Sequence, residues 1–221
     1  MVDFSLWDIF RNLLLAGRWT VALSLVAFVG GGLVGLGLLL LRLAKLRGAE
    51  TGVSAFVQLF QGTPLLMQLF LAYFGLALFG INVSAWVAAA VALTLYTSAF
   101  LAEIWRGCVA AIPKGQWEAA DSLALSFGEK MRHVIGPQAL RIALPAMTNE
   151  FIALFKNTTL VLIVSIFDLL GIAQAALADP AWVGMNMEAY VFAGAIYWIA
   201  CFGLSQWSRL REKRLQLAHG R

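Results

Sequence analysis

The sequence predicts an all-α, polytopic membrane protein whose five transmembrane helices form one domain over residues 1–221. Hydrophobic residues make up 61% of the 221 residues, charged residues supply 13%, and the mean hydropathy is +0.82. Soluble domains carry about 25% charged residues, so a chain with this much apolar surface requires lipid around it. Uncharged runs of the length that crosses a bilayer, about 20 residues, recur along the chain.

The first segment, residues 1–16, is predicted to form a helix that lies in the outer membrane interface. Trp7, Phe10 and Leu14 fall on one helical face, and charged side chains fall on the opposite face. A loosely ordered leader is the alternative interpretation of this segment.

Five spans are predicted in chain order, at residues 19–41, 53–79, 85–105, 141–173 and 189–208. The stretch from Thr51 to Ala102 contains no charged residue and is too long for one span. A turn from Gly80 to Ser84 divides it into the second and third spans. The fourth span is apolar but is interrupted by polar and ionisable side chains.

The distribution of Lys and Arg predicts an N-terminus outside the cell and a C-terminus in the cytoplasm. In this orientation 13 of the 16 basic residues fall on the cytoplasmic side. Arg11 and Arg18 fall outside, and Lys156 lies within the bilayer. The opposite orientation would invert the ratio and violate the positive-inside rule.

Several classes of function have no support in the sequence. His133 and His219 each lack a second ligand at helical spacing, so no metal site is predicted. Cys108 and Cys201 are interpreted as buried free thiols. A phosphate-binding G-x-x-x-x-G-K-[ST] loop is absent from the sequence. The chain is therefore expected not to be an enzyme, to have no cofactor of its own, and to bind no nucleic acid.

The long loop at residues 106–140 is polar and has helical signals. Residues 117–125 have a helix-forming composition, and Ser126 with Glu129 forms a capping box for a second helix. Gly136 and Pro137 are expected to end that helix. Two short helices joined by a tight turn would form a knob that can enter a groove on a partner. In the alternative, the loop is an amphipathic helix in the membrane interface, with Leu123, Leu125 and Phe127 in contact with lipid.

Several motifs resemble those of the inner-membrane permeases of bacterial ATP-binding-cassette (ABC) importers. Gly-Gln-Trp-Glu-Ala-Ala at residues 115–120 and Val-Ile-Gly-Pro-Gln-Ala-Leu-Arg at residues 134–141 are similar to the Glu-Ala-Ala coupling loop that marks this family. Segments that match its polar amino-acid branch lie at residues 61–66, 102–107 and 155–160. Residues 167–192 look closest to the general L-amino-acid permeases of proteobacteria.

The resemblance implies a permease subunit in the bacterial inner membrane, with its N-terminus periplasmic, that forms a pathway for polar or general L-amino acids. A separate cytoplasmic ABC ATPase dimer would use the ATP and dock on the knob. The residues expected to couple the two are Glu118, Ala119, Ala120, Ala124 and Gly128. A second permease, identical or homologous, would complete the pathway. A free or lipid-tethered periplasmic binding protein would deliver substrate to outer loops near Asn82 and Asp179 to Met187.

The sequence departs from the family pattern at four positions. Ala124 stands where the family usually has Gly, and Gly136 stands where it usually has Leu. Gln61 replaces a common Arg, and Asn157 replaces a common Asp. The last replacement favours broad selectivity for neutral or acidic amino acids over a strict preference for arginine or lysine.

Polar residues of the second span are predicted to face the pathway. These candidates are Gln58, Gln61, Thr63 and Gln68, and the three glutamines share one narrow stripe of a helical wheel. Pro64 is expected to loosen the helix near Phe60 and to free carbonyls for a substrate ammonium group. In the alternative, the glutamines only hydrogen-bond to neighbouring helices. Glu103 and Arg106 of the third span are predicted to be a structural pair.

The fourth span carries the main candidates for substrate contact. They are Asn149, Glu150, Lys156 and Asn157, which share a wedge of about 120° on the helical wheel. Lys156 would hold the substrate carboxylate, Glu150 would hold the ammonium group or a cationic side chain, and Asn157 would add an amide contact. In the alternative, the two charges form a salt bridge that fixes helix packing.

Two other classes of function compete with the permease subunit. A self-sufficient amino-acid channel or ion-coupled transporter would usually show paired inverted repeats, which this chain lacks. A membrane anchor or assembly factor gives no reason for ionisable residues in the fourth span, where each costs about 2.5–3.5 kcal/mol. Co-purification of a soluble ATPase is expected only for the permease subunit.

Overall fold

The computed structural model describes residues 6–44, 46–178 and 186–219. The described residues form eight helical segments: α1 Leu6–Leu43, α2 Ala49–Gly62, α3 Leu65–Leu78, α4 Ala85–Ala110, α5 Lys114–Ser122, α6 Phe127–Val164, α7 Leu169–Ala178 and α8 Asn186–His219. Within these residues, α1, α4, α6 and α8 are long and apolar enough to cross a membrane, and α2 with α3 is a further candidate. Most of the predicted outer loop, residues 179–185, lies outside the described residues.

The predicted interfacial helix and the first predicted span are one continuous helix, so the expected boundary between them is corrected. α1 runs for 38 residues, about 57 Å at 1.5 Å per residue, which exceeds a hydrocarbon core of about 30 Å. Its first turns continue the axis of the spanning part, because Ile9 and Leu13 are fully buried in a cluster with Leu169 of α7 and Ala193 of α8.

Glycines bring α1 close to α4 along their length. A Cβ atom on Gly31 would lie 2.9 Å from the Thr97 Cβ, and one on Gly35 would lie 3.0 Å from the Ala102 amide nitrogen. The first distance is shorter than Cβ atoms adopt, and the second would require the neighbouring backbone to shift. The small-residue pattern in the first span therefore marks a close helix–helix contact.

The second predicted span is not one straight helix. α2 and α3 meet at an angle of 100°. Thr63 is extended, with φ −113° and ψ 141°, as expected for a residue before proline. Pro64 precedes the first residue of α3 and has no N–H group to continue α2. The turn before the third span is as predicted, with Gly80 at φ 77° and Ser84 capping α4.

Gly136 and Pro137 do not end the helix that Ser126 begins, which corrects the prediction. Residues Lys130–Ile135 are π-helical, and the wider turn accommodates a proline ring that a regular helix would exclude. Gly136 leaves room for this turn, because a Cβ atom there would lie 2.3 Å from the Met131 carbonyl oxygen.

The fourth predicted span ends earlier than residue 173. A 3₁₀ turn over Thr158–Val164 closes α6, and Ser165 adopts a left-handed conformation with φ 61°. The chain then starts α7 at Leu169. The fifth predicted span, residues 189–208, lies within α8.

Candidate transport pathway and coupling surface

The break between α2 and α3 frees backbone carbonyls, and side chains of the same chain satisfy them. The Thr63 hydroxyl donates to the Leu59 carbonyl at 2.7 Å. Nε2 of Gln68 lies 2.9 Å from the Phe60 carbonyl oxygen. Carbonyls at the end of a helix have no partner within the helix and are commonly satisfied by side chains in this way. The Phe60 carbonyl therefore already accepts one hydrogen bond, and its availability to substrate stays a prediction.

The three glutamines of the second span do not form one stripe, because the 100° bend separates Gln68 from Gln58 and Gln61. Gln61 Nε2 donates to the Ala99 carbonyl of α4 at 3.2 Å, as the helix-packing alternative expects. Gln58 is exposed. A cavity of about 250 Å³ lies beside the break, with mainly apolar walls that include Thr63 and Gln68. Contact of these four residues with substrate stays a prediction.

The polar wedge of the fourth span lies on regular α-helix, since Gly136–Asn157 is α-helical. Asn149 and Lys156 are exposed, and Glu150 and Asn157 are half-buried. Among the described residues, no ion pair joins Glu150 to Lys156. The packing salt bridge is therefore not formed, and substrate contact at this wedge stays a prediction.

A charged cluster joins α1, α2 and α4. Glu103 accepts from Arg106 Nε at 2.7 Å, which confirms the predicted pair, and from Arg42 Nη1 at 2.5 Å. Arg42 also reaches α2, with Nη2 3.2 Å from Ser54 Oγ and Nε 3.5 Å from Glu50 Oε2. The part played by Arg42 was not predicted, because the two partners lie 61 residues apart.

Asp168 joins α1, α7 and α8, although sequence analysis gave it no role. The residue is fully buried. Its carboxylate accepts from the Gly171 amide at 2.9 Å, the Tyr197 hydroxyl at 3.0 Å and the Thr20 hydroxyl at 3.4 Å. Burial raises the pKa of the Asp168 carboxyl, against the opposing effect of these hydrogen bonds. Asp168 lies three residues before Gly171, the spacing of an N-cap residue. This spacing could have predicted from the sequence that Asp168 caps α7.

The segment Lys114–Glu129, which is α5 together with the first turn of α6, forms the predicted knob, and later side chains of α6 hold α5 in place. Lys130 pairs with Asp121, and Nε2 of Gln138 lies 3.2 Å from Gln116 Oε1. The capping box at Ser126 is confirmed. The knob and the start of α6 are therefore expected to move as one body.

Most of the predicted coupling residues are on the surface of the knob. The exposed ones are Glu118, Ala119, Ala124 and Gly128. Ala120 is only 1% exposed, so it packs the knob against its own chain and is unavailable to a partner. The part of all five residues in coupling stays a prediction.

Ala124 explains how α5 ends. The Leu125 amide donates to the Ala120 carbonyl at 3.2 Å, and the Ala124 amide donates to the Asp121 carbonyl at 2.9 Å. These two bonds define a Schellman motif, in which the residue at the position of Ala124 is left-handed and is usually Gly. Ala124 has φ 52°, so this chain keeps the turn despite lacking the glycine common in the family it resembles.

The fold and these sites define a class of protein: an all-helical membrane protein with a broken second span and an exposed helical knob between its third and fourth spans. The chain belongs to the family described as binding-protein-dependent transport system inner membrane components, whose model matches residues 33–217. The resemblance stated from the sequence motifs is thereby confirmed.

Curated relatives are amino-acid ABC transporter permeases. The chain is 46% identical over 162 residues to the inner membrane amino-acid ABC transporter permease protein YhdY of Escherichia coli, covering 72% of this chain and 44% of that protein. It is 38% identical to the glutamate/glutamine/aspartate/asparagine transport system permease protein BztC of Rhodobacter capsulatus, covering 78% and 40%. The chain thus spans less than half the length of these two relatives. It is 32% identical to the L-cystine transport system permease protein TcyB of Bacillus subtilis, covering 97% and 90%.

Solved structures share the fold over nearly the whole chain. The crystal structure of an amino acid ABC transporter with histidines superposes with a TM-score of 0.86 at 34% identity, covering 97% of this chain and 99% of that one. An inward-facing structure of the MetNI methionine ABC transporter gives a TM-score of 0.70 at 23% identity, covering 90% and 96%. The second likeness concerns the fold alone.

Proposed function

We propose that this chain is the permease subunit of an ABC importer that carries amino acids across the bacterial inner membrane. The observation that carries the proposal is the exposed knob fixed to α6 by the Asp121–Lys130 ion pair. A cytoplasmic ATPase dimer docked on the knob would move α6 as it hydrolyses ATP. That motion reaches the polar wedge because the wedge lies on the same helix, so hydrolysis elsewhere can open or close the pathway.

A second permease is needed to enclose the pathway. α3 presents large apolar side chains that are 44–57% exposed: Leu66, Met67, Phe70 and Leu71. Exposed apolar surface of this kind marks an interaction site or lipid contact. The mate is an identical or homologous chain, and a free or tethered periplasmic binding protein supplies the substrate.

The substrate class is neutral or acidic amino acids. Lys156 offers a cation for the carboxylate that all amino acids share, and Glu150 offers an anion for the ammonium group. Asn157 adds an uncharged amide at this wedge. The names of relatives specify glutamate, glutamine, aspartate and asparagine in one case, L-cystine in another and arginine in a third, so this range rests on the side chains of the wedge.

The orientation follows from the basic residues, with the N-terminus in the periplasm and the C-terminus in the cytoplasm. This places the knob on the side where an ATPase has access to ATP. It also places Asn82 and the connection between α7 and α8 in the periplasm, where a binding protein can reach them.

Purification of the complex from membranes tests the proposal. The wild-type chain is expected to retain a stoichiometric soluble ATPase, and Glu118→Lys is expected to lose it because the charge of the docking surface is reversed. Glu188→Lys makes the same change at the start of α8 and should retain the ATPase. A chain that purifies without ATPase and still transports amino acids in vesicles would instead support a self-sufficient channel or transporter.

A further inference from the structure

A cavity of about 610 Å³ lies between α1, the first turn of α4 and the segment that leads into α7. Its volume falls within the range of about 300–1,000 Å³ typical of ligand sites. The polar and aromatic lining consists of Asn12, Arg18, Trp19, Trp86, Ser165 and Phe167. None of these residues belongs to the polar wedge, the α2–α3 break or the knob.

The cavity lies at one boundary of the hydrocarbon layer. Arg18 is the last charged residue before the uncharged run 19–41, whose 23 residues extend about 35 Å as a helix and can fill a hydrocarbon core of about 30 Å. Trp19 of α1 and Trp86 of α4 meet there, with ring centroids 4.9 Å apart. Trp residues concentrate at the level of the lipid headgroups, so α1 and α4 each place a Trp at the same depth in the membrane.

The charge of Arg18 is not balanced within the described part of the chain. Its guanidinium lies over the Trp19 ring at 4.9 Å, and no described carboxylate is within ion-pair distance. Asp8 is ten residues away, about 15 Å along the helix. The oxygens of the buried Asp168 are already bonded by Thr20, Tyr197 and Gly171.

The remaining walls are apolar. They are formed by Leu15, Ala16, Ile166, Ile172 and Ala175. A soluble anion would gain nothing from this surface, whereas an acyl chain would bury against it. A cation, an amide and a hydroxyl in the lining of an otherwise apolar cavity complement a phosphate that carries hydrocarbon chains.

We propose that this cavity binds an anionic phospholipid from the adjacent leaflet. The phosphate pairs with the Arg18 guanidinium near Asn12 and Ser165. The parts of its acyl chains nearest the phosphate lie along the apolar walls between α1 and α7. The proposal does not rest on the proposed transport function, because it uses only the position of the cavity in the membrane and its lining.

Native mass spectrometry of the full-length protein, purified with its partners, tests this assignment. The sample is delipidated and then titrated with phosphatidylglycerol or phosphatidylcholine in detergent. Wild type is expected to retain phosphatidylglycerol about fivefold more strongly, the effect of one basic residue near an anionic lipid. Arg18→Gln should abolish this preference. Arg11→Gln, an exposed arginine on the same helix outside the cavity, should keep it.

A photoactivatable phosphatidylglycerol provides a second measurement on the wild-type complex. Crosslinks to peptides that contain residues 12–19, 86 or 165–175 are expected. An unchanged preference in Arg18→Gln, or crosslinks confined to other parts of the chain, would overturn the proposal. If inorganic phosphate displaces phosphatidylglycerol at a concentration equal to that of the lipid, the cavity binds a soluble anion and the proposal is wrong. Loss of these crosslinks in the complex with the binding protein would also overturn it, because that protein and not a lipid would then occupy the cavity.

Discussion

Arg42 at the end of α1 and Glu103 of α4 form an ion pair, with Nη1 and Oε1 2.5 Å apart. The side chain of Arg42 is 8% exposed and that of Glu103 is 27% exposed. The pair fixes α1 to the part of α4 that leads into the knob, and Ser54 extends the contact to α2. A partly desolvated pair of this kind is costly to break, because the charge that remains loses part of its compensation in a place that water reaches poorly.

Arg42→Gln is expected to lower the free energy of unfolding by about 2 kcal/mol, since it removes a charge-assisted hydrogen bond from a largely buried position. Arg106→Gln is the matched control. It removes the other partner of Glu103, but the Arg106 side chain is 52% exposed, and exposed pairs contribute about 0–1 kcal/mol. Denaturant unfolding of the purified complex in detergent measures both changes. Equal losses would show that burial does not decide the strength of this cluster.

The contact of α1 with α4 gives a second prediction. Gly35→Ala is expected to destabilise the protein by about 1–3 kcal/mol, the usual effect of overpacking, because its Cβ would meet backbone atoms of Ser98 and Ala102 at 3.0 Å. Gly37→Ala places a methyl group in open space on the same helix and should be neutral or stabilising, since Ala favours helix by about 1 kcal/mol over Gly. Unfolding temperatures of the two variants test the difference. Similar unfolding temperatures would mean that α1 can shift relative to α4 without a loss of stability.

The sequence predicted the features that depend on local pattern. Uncharged runs located the spans because lipid admits few charges. The capping box at Ser126 and the turn at Gly80 were also predicted, since each depends on residues within a few positions. The pair of Glu103 and Arg106 belongs to this group because the two residues are three apart on one helix.

Features that depend on how helices meet were not predicted. Pro64 signalled a weakness in the second span, but the 100° bend depends on Thr63 and Gln68 bonding the freed carbonyls. Pro137 predicts the end of a helix, but the π-helical turn before it is wide enough for the proline ring, so the helix continues. Thr20 and Asp168 lie 148 residues apart, so no local pattern could join them.

The turn that closes α5 gives a third prediction. Ala124→Gly is expected to raise the local stability of the knob by about 1 kcal/mol, because a left-handed conformation costs an L-residue about that much and costs Gly nothing. Ala119→Gly, in the helical part of α5, should lower it by a similar amount. Hydrogen exchange at residues 114–129 reports the local opening. Faster exchange in Ala124→Gly would contradict the strain assigned to Ala124.

The polar wedge of α6 gives the last prediction, which concerns selectivity. Lys156→Met is expected to weaken transport of all amino acids about tenfold or more, since a lost charge-assisted hydrogen bond to the carboxylate is worth about 1.5–3 kcal/mol. Glu150→Gln should change the relative uptake of the substrates, because the neutral amide attracts their ammonium group less strongly than the carboxylate does.

Competitive uptake of a mixture of labelled amino acids into proteoliposomes containing the intact complex measures this spectrum. Thr148→Val is the matched control on the same helix, because its hydroxyl bonds only the Leu144 carbonyl at 2.8 Å among the described residues and its position falls outside the wedge. It should leave the relative rates unchanged. Assembled Lys156→Met and Glu150→Gln complexes that transport the wild-type spectrum, or variants that fail to assemble, would assign the two charges to helix packing instead of substrate contact.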